Sequence, residues 1–190
     1  MPAFDLRGIK IANYVNTNGT ITYTGAQSAG DAMTANLELR FAEGRLYAEG
    51  KLAEFIREAT GGSISLGVKY IPDAAKNVMF GSTAKSRTVS GTSVTGVQYT
   101  ANDVPKYVGV AFFAPDMVDG EKKYTCVFIR KCMFGPPAMS YNTKGESITF
   151  TTPTTTGEFL PDDSATAALM ETAVCSTKAQ AEAWVNAVLA

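Results

Sequence analysis

The sequence contains no histidine, which removes at once the commonest general base near neutral pH and the commonest transition-metal ligand. Ser-His-Asp triads, zinc deaminase sites and histidine-held metals are therefore excluded. A basic surplus is missing as well: 17 Lys and Arg stand against 18 Asp and Glu, a formal net charge of −1. A dedicated nucleic-acid binder needs excess cations to displace counterions from phosphates, so any DNA this chain meets is not gripped. No run approaches the ~20 consecutive apolar residues of a membrane helix, and residues 1–10 lack the apolar centre of a signal peptide. Synthesis and retention in the cytosol are expected, and Asn18-Gly19-Thr20 reads as a turn rather than as a glycan acceptor. Cysteine is scarce, at three residues. Cys126 and Cys132 are expected on the same face of one strand, about 20 Å apart at the usual rise per residue and beyond disulfide reach. With Cys175 distant, they read as core thiols rather than as a metal site.

What is present is a core. At 190 residues one domain buries roughly 70% of the surface its unfolded chain would expose. Short alternating runs punctuated by turn dipeptides indicate antiparallel sheet. Residues 8–15 and 20–24 flank Asn18-Gly19, a pair that tolerates the positive φ angles of a tight hairpin. Residues 35–41 place Leu37, Leu39 and Phe41 on one face and Glu38 and Arg40 on the other, and residues 63–70 do the same with Ile64, Leu66, Val68 and Tyr70. Residues 107–113 and 124–134, joined through Asp119-Gly120, are apolar on both faces near their middles and read as central strands. Residues 146–152 close the set, with Ile148 and Phe150 inward, and Pro153 ends that strand.

Two helices are expected. The first runs over residues 72–80, with proline in its first turn and Gly81 as C-terminal cap. The second follows Thr177, whose capping box with Gln180 precedes an apolar stripe of Ala181, Trp184, Val185, Val188 and Leu189; it should dock on a sheet face. Residues 45–59 fit a helix through Leu52, Phe55, Ile56 and Ala59 but also fit two strand faces, and propensity alone favours helix. Residues 82–105, rich in Ser, Thr and Gly, read as a long loop with one short strand over 94–99.

Several patterns imitate chemistry. Ser82-Thr83-Ala84-Lys85 matches the Ser-x-x-Lys of some acyl transferases, a short pattern that recurs by chance. Asp162-Asp163, after Pro161, reads as a pair capping and solubilising a turn into residues 164–174. The glycines punctuate hairpins and open no helix after a strand, so no phosphate cradle is expected. The echo Ala42-Glu43-Gly44 and Ala48-Glu49-Gly50 reads as two glycine-relieved bends around one hairpin. Nothing here argues for an enzyme, and no cofactor is expected.

Longer strings are more specific. Tyr107-Val108-Gly109-Val110-Ala111-Phe112-Phe113 leads to Gly120-Glu121-Lys122-Lys123-Tyr124, then Lys131-Cys132-Met133-Phe134, a Pro136-Pro137 link, and Thr143-Lys144-Gly145-Glu146-Ser147-Ile148-Thr149-Phe150-Thr151-Thr152-Pro153. In this order the chain resembles the major tail proteins that build the tail tubes of siphophages and related tailed phages. Gly8-Ile9-Lys10, Tyr47-Ala48-Glu49-Gly50 and Ile71-Pro72-Asp73 are similar to that family too, while the Ser/Thr-rich segment before Tyr107 and the alanine-rich C-terminal segment depart from it. The resemblance implies an antiparallel β-sandwich with a flanking helix and a C-terminal helix, forming a barrel on oligomerisation. It divides the chain into a sandwich domain, 1–160, and a C-terminal extension, 161–190, packed on the same domain by its amphipathic helix. It also makes residues 41–70 part of an extended hairpin, overriding the helical propensity of 45–59.

By the same resemblance the chain is a structural virion protein that assembles into hexameric rings stacked as a tail tube for DNA ejection. Its partners are then copies of itself and the tape-measure, tail-terminator and distal tail proteins; it is assembled in the host cytoplasm, resides in the virion tail and touches no membrane. The implied inter-ring loop carries Phe41, Glu43, Arg45, Leu46, Tyr47, Glu49 and Leu52, and the carboxylates Glu38, Glu43, Glu49, Glu54 and Glu58 are candidates for the channel lining or, equally, for a solvated outer face. A tube protein of a secretion or contractile injection system is an alternative. So is a β-sandwich binding or decoration module using the 19 aromatics, 10 Phe, 8 Tyr and 1 Trp, although alternation sends most of those into sheet faces.

Overall fold

Turn chemistry sets the strand pairing. Asn18 and Gly19, Glu49 and Gly50, and Ser90 and Gly91 each pair two consecutive positive φ angles (53° and 85°, 52° and 75°, 50° and 80°). That geometry matches the right-handed twist of the strands it joins. In the computed structural model, which describes residues 5–118, 120–139, 141, 143 and 150–190, these turns close three hairpins: β1 (Arg7–Thr17) with β2 (Thr20–Ser28), β3 (Ala32–Ala48) with β4 (Lys51–Val68), and β5 (Thr83–Val89) with β6 (Thr92–Gln98). The other elements are α1 (Asp73–Phe80), β7 (Val108–Val118), β8 (Glu121–Phe134), β9 (Thr154–Phe159), β10 (Met170–Cys175) and α2 (Lys178–Val188).

All pairings in the large sheet are antiparallel, in the order β2-β1-β7-β8-β9-β4-β3, with β10 also on β8. The second edge of β8 is shared: Tyr124 to Ile129 pair with β10, and Cys132 to Phe134 pair with β9. Ile9 and Ile11 of β1 share one buried cluster with Ile64, Leu66 and Val68 of β4, Phe159 of β9, and Ala75, Met79 and Phe80 of α1. Strands far apart in the ladder thus enclose a common core, and the mainly β fold is a sandwich made from one curled sheet. The opposite face of the central strands buries Ala111, Phe113, Cys126 and Phe128 beneath Ala181, Val185 and Leu189 of the C-terminal helical segment. The C-terminal segment is thereby joined to the sheet twice, by β10 and by α2.

Both helices start and stop as their local chemistry directs. Pro72 precedes α1, and Gly81 caps it in the left-handed region at φ 67°. Thr177 Oγ1 accepts from Gln180 N at 3.2 Å, and Gln180 Oε1 accepts from Ser176 N at 3.1 Å. Residues 45–59 are two strands joined by the turn at Glu49-Gly50, as the resemblance implies and against their helical propensity.

Other expectations are corrected. Residues 82–105 hold two strands rather than one: β6 answers to the short strand expected over 94–99, and it pairs with the unexpected β5 in a regular hairpin whose fourteen strand residues are nearly all exposed. Of the strand expected over 146–152, residues 146–149 lie outside the described residues, Phe150 is exposed rather than inward, and the strand instead follows Pro153 as β9. Gly44 is no bend: it lies within β3 opposite Ile56, and only Glu49-Gly50 turns the chain. Cys126 and Cys132 do not share a face. Val108 pairs with Cys132 and Val110 with Ile129, so β8 carries one extra residue there. This bulge reverses the alternation, placing Cys132 in the α1-side core and Cys126 in the α2-side core. Nor is Cys175 remote: β10 brings its Sγ to 3.8 Å from that of Cys126.

Candidate functional site

The β3–β4 hairpin runs beyond the core it begins in. Ile64, Leu66 and Val68 are buried, yet every residue from 38 to 60 is exposed. At about 3.3 Å per residue, Phe41 to Ala48 make an arm about 26 Å long. Phe41, Leu46, Tyr47, Leu52, Phe55 and Ile56 on this arm are 40–62% exposed. Scattered single apolar residues on a surface are ordinary, whereas six on one narrow hairpin form a patch of the kind that marks an interaction surface.

Register divides the arm into two faces. Phe41 pairs with Ala59, Glu43 with Arg57 and Arg45 with Phe55, while Ala42 pairs with Glu58, Gly44 with Ile56 and Leu46 with Glu54. Extra residues fall on β4, between Gly61 and Ala59 and again between Glu54 and Leu52, so β3 keeps its alternation. The first face is a latticework of rings and charges. The Arg57 guanidinium lies 3.9 Å from the Phe41 ring centroid and that of Arg45 lies 5.4 Å from Phe55, while Glu43 lies 3.4 Å from both guanidinium groups. Exposed ion pairs of this kind contribute at most about 1 kcal/mol each, so they order the arm more than they stabilise the fold. The second face carries Leu46 and Ile56 among carboxylates.

The expected site residues therefore separate. Phe41, Glu43, Arg45 and Tyr47 stand on one face, Leu46 on the other, and Glu49 in the turn. Of the candidate channel carboxylates, Glu38, Glu54 and Glu58 share the Leu46 face, whereas Glu43 is held on the opposite face by Arg45 and Arg57. Arg40 extends the Leu46 face toward the sheet and binds Glu158 of β9 at 2.6 Å, which holds that carboxyl below its usual range. Phe55, Ile56 and Arg57 belong to the surface but were not among its expected members. The two-residue turn at Glu49-Gly50 is the signal that locates them, because it sets them opposite residues already suspected.

A second polar centre anchors the C-terminal segment. Asp162, whose side chain is fully buried, accepts from Arg130 Nε at 2.5 Å, Ser164 Oγ at 2.6 Å, Ala168 N at 2.9 Å and Ser164 N at 3.2 Å. Burial pushes this carboxyl up, but the bonds from Ser164 and Arg130 outweigh it and hold it below the usual range. Arg130 also binds Glu171 of β10. Asp163 is exposed and accepts from Lys131 Nζ at 2.6 Å, Tyr14 Oη at 2.9 Å and Asn16 Nδ2 at 3.2 Å, and these bonds lower it too. The pair caps the turn, as expected, and in addition ties β1, β8 and β10 together.

Among the described residues no three His, Cys, Asp or Glu side chains are placed to hold a metal ion, and no helix is long and apolar enough to cross a membrane. Ser82 is buried, its hydroxyl bound to Asn77 Oδ1 at 3.1 Å, and Lys85 is exposed on β5, so the Ser-x-x-Lys string forms no nucleophile pair. Scanned against models of protein families, the chain matches none, and a search of curated proteins finds no match.

Proposed function

We propose that this chain is a structural subunit that assembles with copies of itself into rings, hexameric by the sequence resemblance, stacked as the tube of a phage tail. The observation that carries the reading is the arm over residues 38–60, exposed throughout and bearing seven large apolar side chains, Leu39 at its base and the six beyond it. An isolated domain gains nothing from such an arm, whereas a neighbouring copy would bury it. The sheet adds a second argument: it ends on β2 and β3, whose outer backbone groups have no strand beside them among the described residues. Edges left open invite pairing with another copy, and a closing rotation satisfies all of them around a ring. On this reading the arm reaches the next subunit, and Glu38, Glu54 and Glu58 belong to one acidic face that would repel a DNA backbone if it lined the channel.

The test is negative-stain electron microscopy of the concentrated protein beside a freshly diluted sample, with Leu46→Lys/Ile56→Lys as control. Rings or tubes of uniform width from the unaltered chain, absent from the double variant, are expected. Tubes that form equally well from the double variant would remove the arm from the interface. Monomers at every concentration, with and without a preformed tail tip as initiator, would count against assembly and favour a binding module.

A further inference from the structure

A cleft lies where the start of β3 passes over β7 and β8, distant in register from the arm. Phe112, Ala114 and Asp116 alternate along β7 and therefore face the same way, and all three line it with Thr125 and Val127 of β8. Leu6, Ala35 and Met33 supply further apolar wall, and Met33, 52% exposed, stands at the rim. The cleft encloses about 540 Å³.

Asp116 is out of place in such a setting. It is 4% exposed, and its Oδ1 is buried with no hydrogen-bond partner among the described residues. Oδ2 has only the Thr125 hydroxyl, at a long 3.4 Å. Lys123 stands opposite Asp116 in the ladder, but its ammonium is engaged 3.5 Å from Glu121. The other ionisable residue of the cleft is a second carboxylate, Asp5, which binds Arg7 outside the lining. A buried carboxylate without a cation is costly and is normally paired. The contrast with Asp162, which accepts four bonds at comparable burial, shows that this chain supplies partners to a buried aspartate where the fold alone requires one.

We propose that the cleft is a binding site for an alkyl-substituted nitrogen cation, a guanidinium or ammonium group on a short apolar stem. The charged head would pair with Asp116, and the stem would lie along Phe112, Ala35 and Val127 as the methylenes of Arg and Lys lie along apolar surface. A guanidinium suits it best, because its forked donors can bond a carboxylate oxygen and a neighbouring hydroxyl together, here Asp116 Oδ1 and the Thr125 hydroxyl. The site stands independently of the tube reading, since it needs a cation and not a ring.

The probe is n-butylguanidinium, titrated into the full chain and followed by the amide resonances of Phe112, Thr125 and Val127, with n-butanol as the uncharged isostere. Saturable shifts at those amides, at least tenfold tighter for the cation than for the alcohol and at least tenfold weaker in Asp116→Asn, are expected. Removing an unpaired charge should also leave the melting temperature of Asp116→Asn equal to or above that of the parent. Equal responses to cation and alcohol overturn the proposal, as does unchanged binding in Asp116→Asn. The first comparison uses the unaltered chain and stands even if the variant does not fold. Sedimentation at rising protein concentration separates the two sources of the cation. Self-association displaced by n-butylguanidinium assigns the occupant to an Arg or Lys side chain of a second copy, and self-association indifferent to it assigns a free amine or guanidine.

Discussion

At the scale of single residues, the two adjacent aspartates should behave very differently. Asp162→Ala removes one member of a buried, fully bonded ion pair and leaves the Arg130 guanidinium facing the gap, a loss of about 3–5 kcal/mol. Asp163→Ala, at an exposed site, should cost far less, because water screens and replaces its bonds. Denaturant unfolding read by the fluorescence of the single tryptophan, Trp184, measures both. The acid limb gives the sign independently. The carboxyl of Asp162 is lower in the fold than in the unfolded chain. Its contribution is therefore complete above the unfolded value of about 3.9 and disappears as pH falls through the folded value. Stability of the parent should fall more steeply below pH ~4 than that of Asp162→Asn, and parallel slopes would detach Asp162 from acid unfolding. Cysteine reactivity is graded likewise. Burial, then the hydrogen bond to Cys175, pushes the Cys126 thiol up to about 12, and burial pushes that of Cys132 up further. An aromatic disulfide reagent at pH 8 should modify only the half-buried Cys175 in the native chain and all three thiols in denaturant.

Elements respond to their ends and to their register. Gly81 caps α1 at φ 67°, and a Cβ there would stand 2.3 Å from the Val104 carbonyl oxygen, so Gly81→Ala should destabilise by more than about 1 kcal/mol in calorimetry. The arm should tolerate change: Leu46→Lys/Ile56→Lys, at side chains more than half exposed, is expected to shift stability by under about 0.5 kcal/mol per site while removing assembly. How much of these elements the sequence disclosed follows from where their information resides. Both helices and the hairpin at Asn18-Gly19 are written in local caps and turns and were legible. Of the hairpin β5–β6 only the second strand was legible, because strands exposed on both faces need no alternation of apolar residues. In β9 the buried positions are Thr155, Gly157 and Phe159, of which only the last is a large apolar residue; Phe134 and Cys132 fill the space above Gly157. The face of Cys132 depends on a bulge defined by the partner strand, β7. The arm itself was visible through family resemblance and hidden from propensity, since Leu52, Phe55, Ile56 and Ala59 satisfy a helical stripe equally well. Asp116 carried no signal, because a buried aspartate without a partner is defined only once the fold brings β3 over β7.

The whole molecule presents a sheet closed in its middle and open at its ends. Backbone groups of β8 are paired on one side with β7 and on the other with β10 and β9 in succession, whereas among the described residues β2 and β3 each have a neighbour on one side only. In the dilute chain, amides of β2 and β3 that point away from β1 and β4 should exchange with solvent at rates close to those of loops, and those of β8 should be protected by most of the global stability. If rings close by strand addition, edge to edge, the outward amides of β2 and β3 must both acquire partners on assembly, because a closed ring leaves neither edge over. Hydrogen exchange on the tube against the diluted protein should then show these two strands slowed together, by about a hundredfold or more, with β8 unchanged. Protection of the arm at residues 38–60 without protection of β2 would mean instead that copies meet through the apolar side chains of the arm alone. The outer edges would then remain solvated, and the tube would be a stack held by hairpins rather than a continuous barrel.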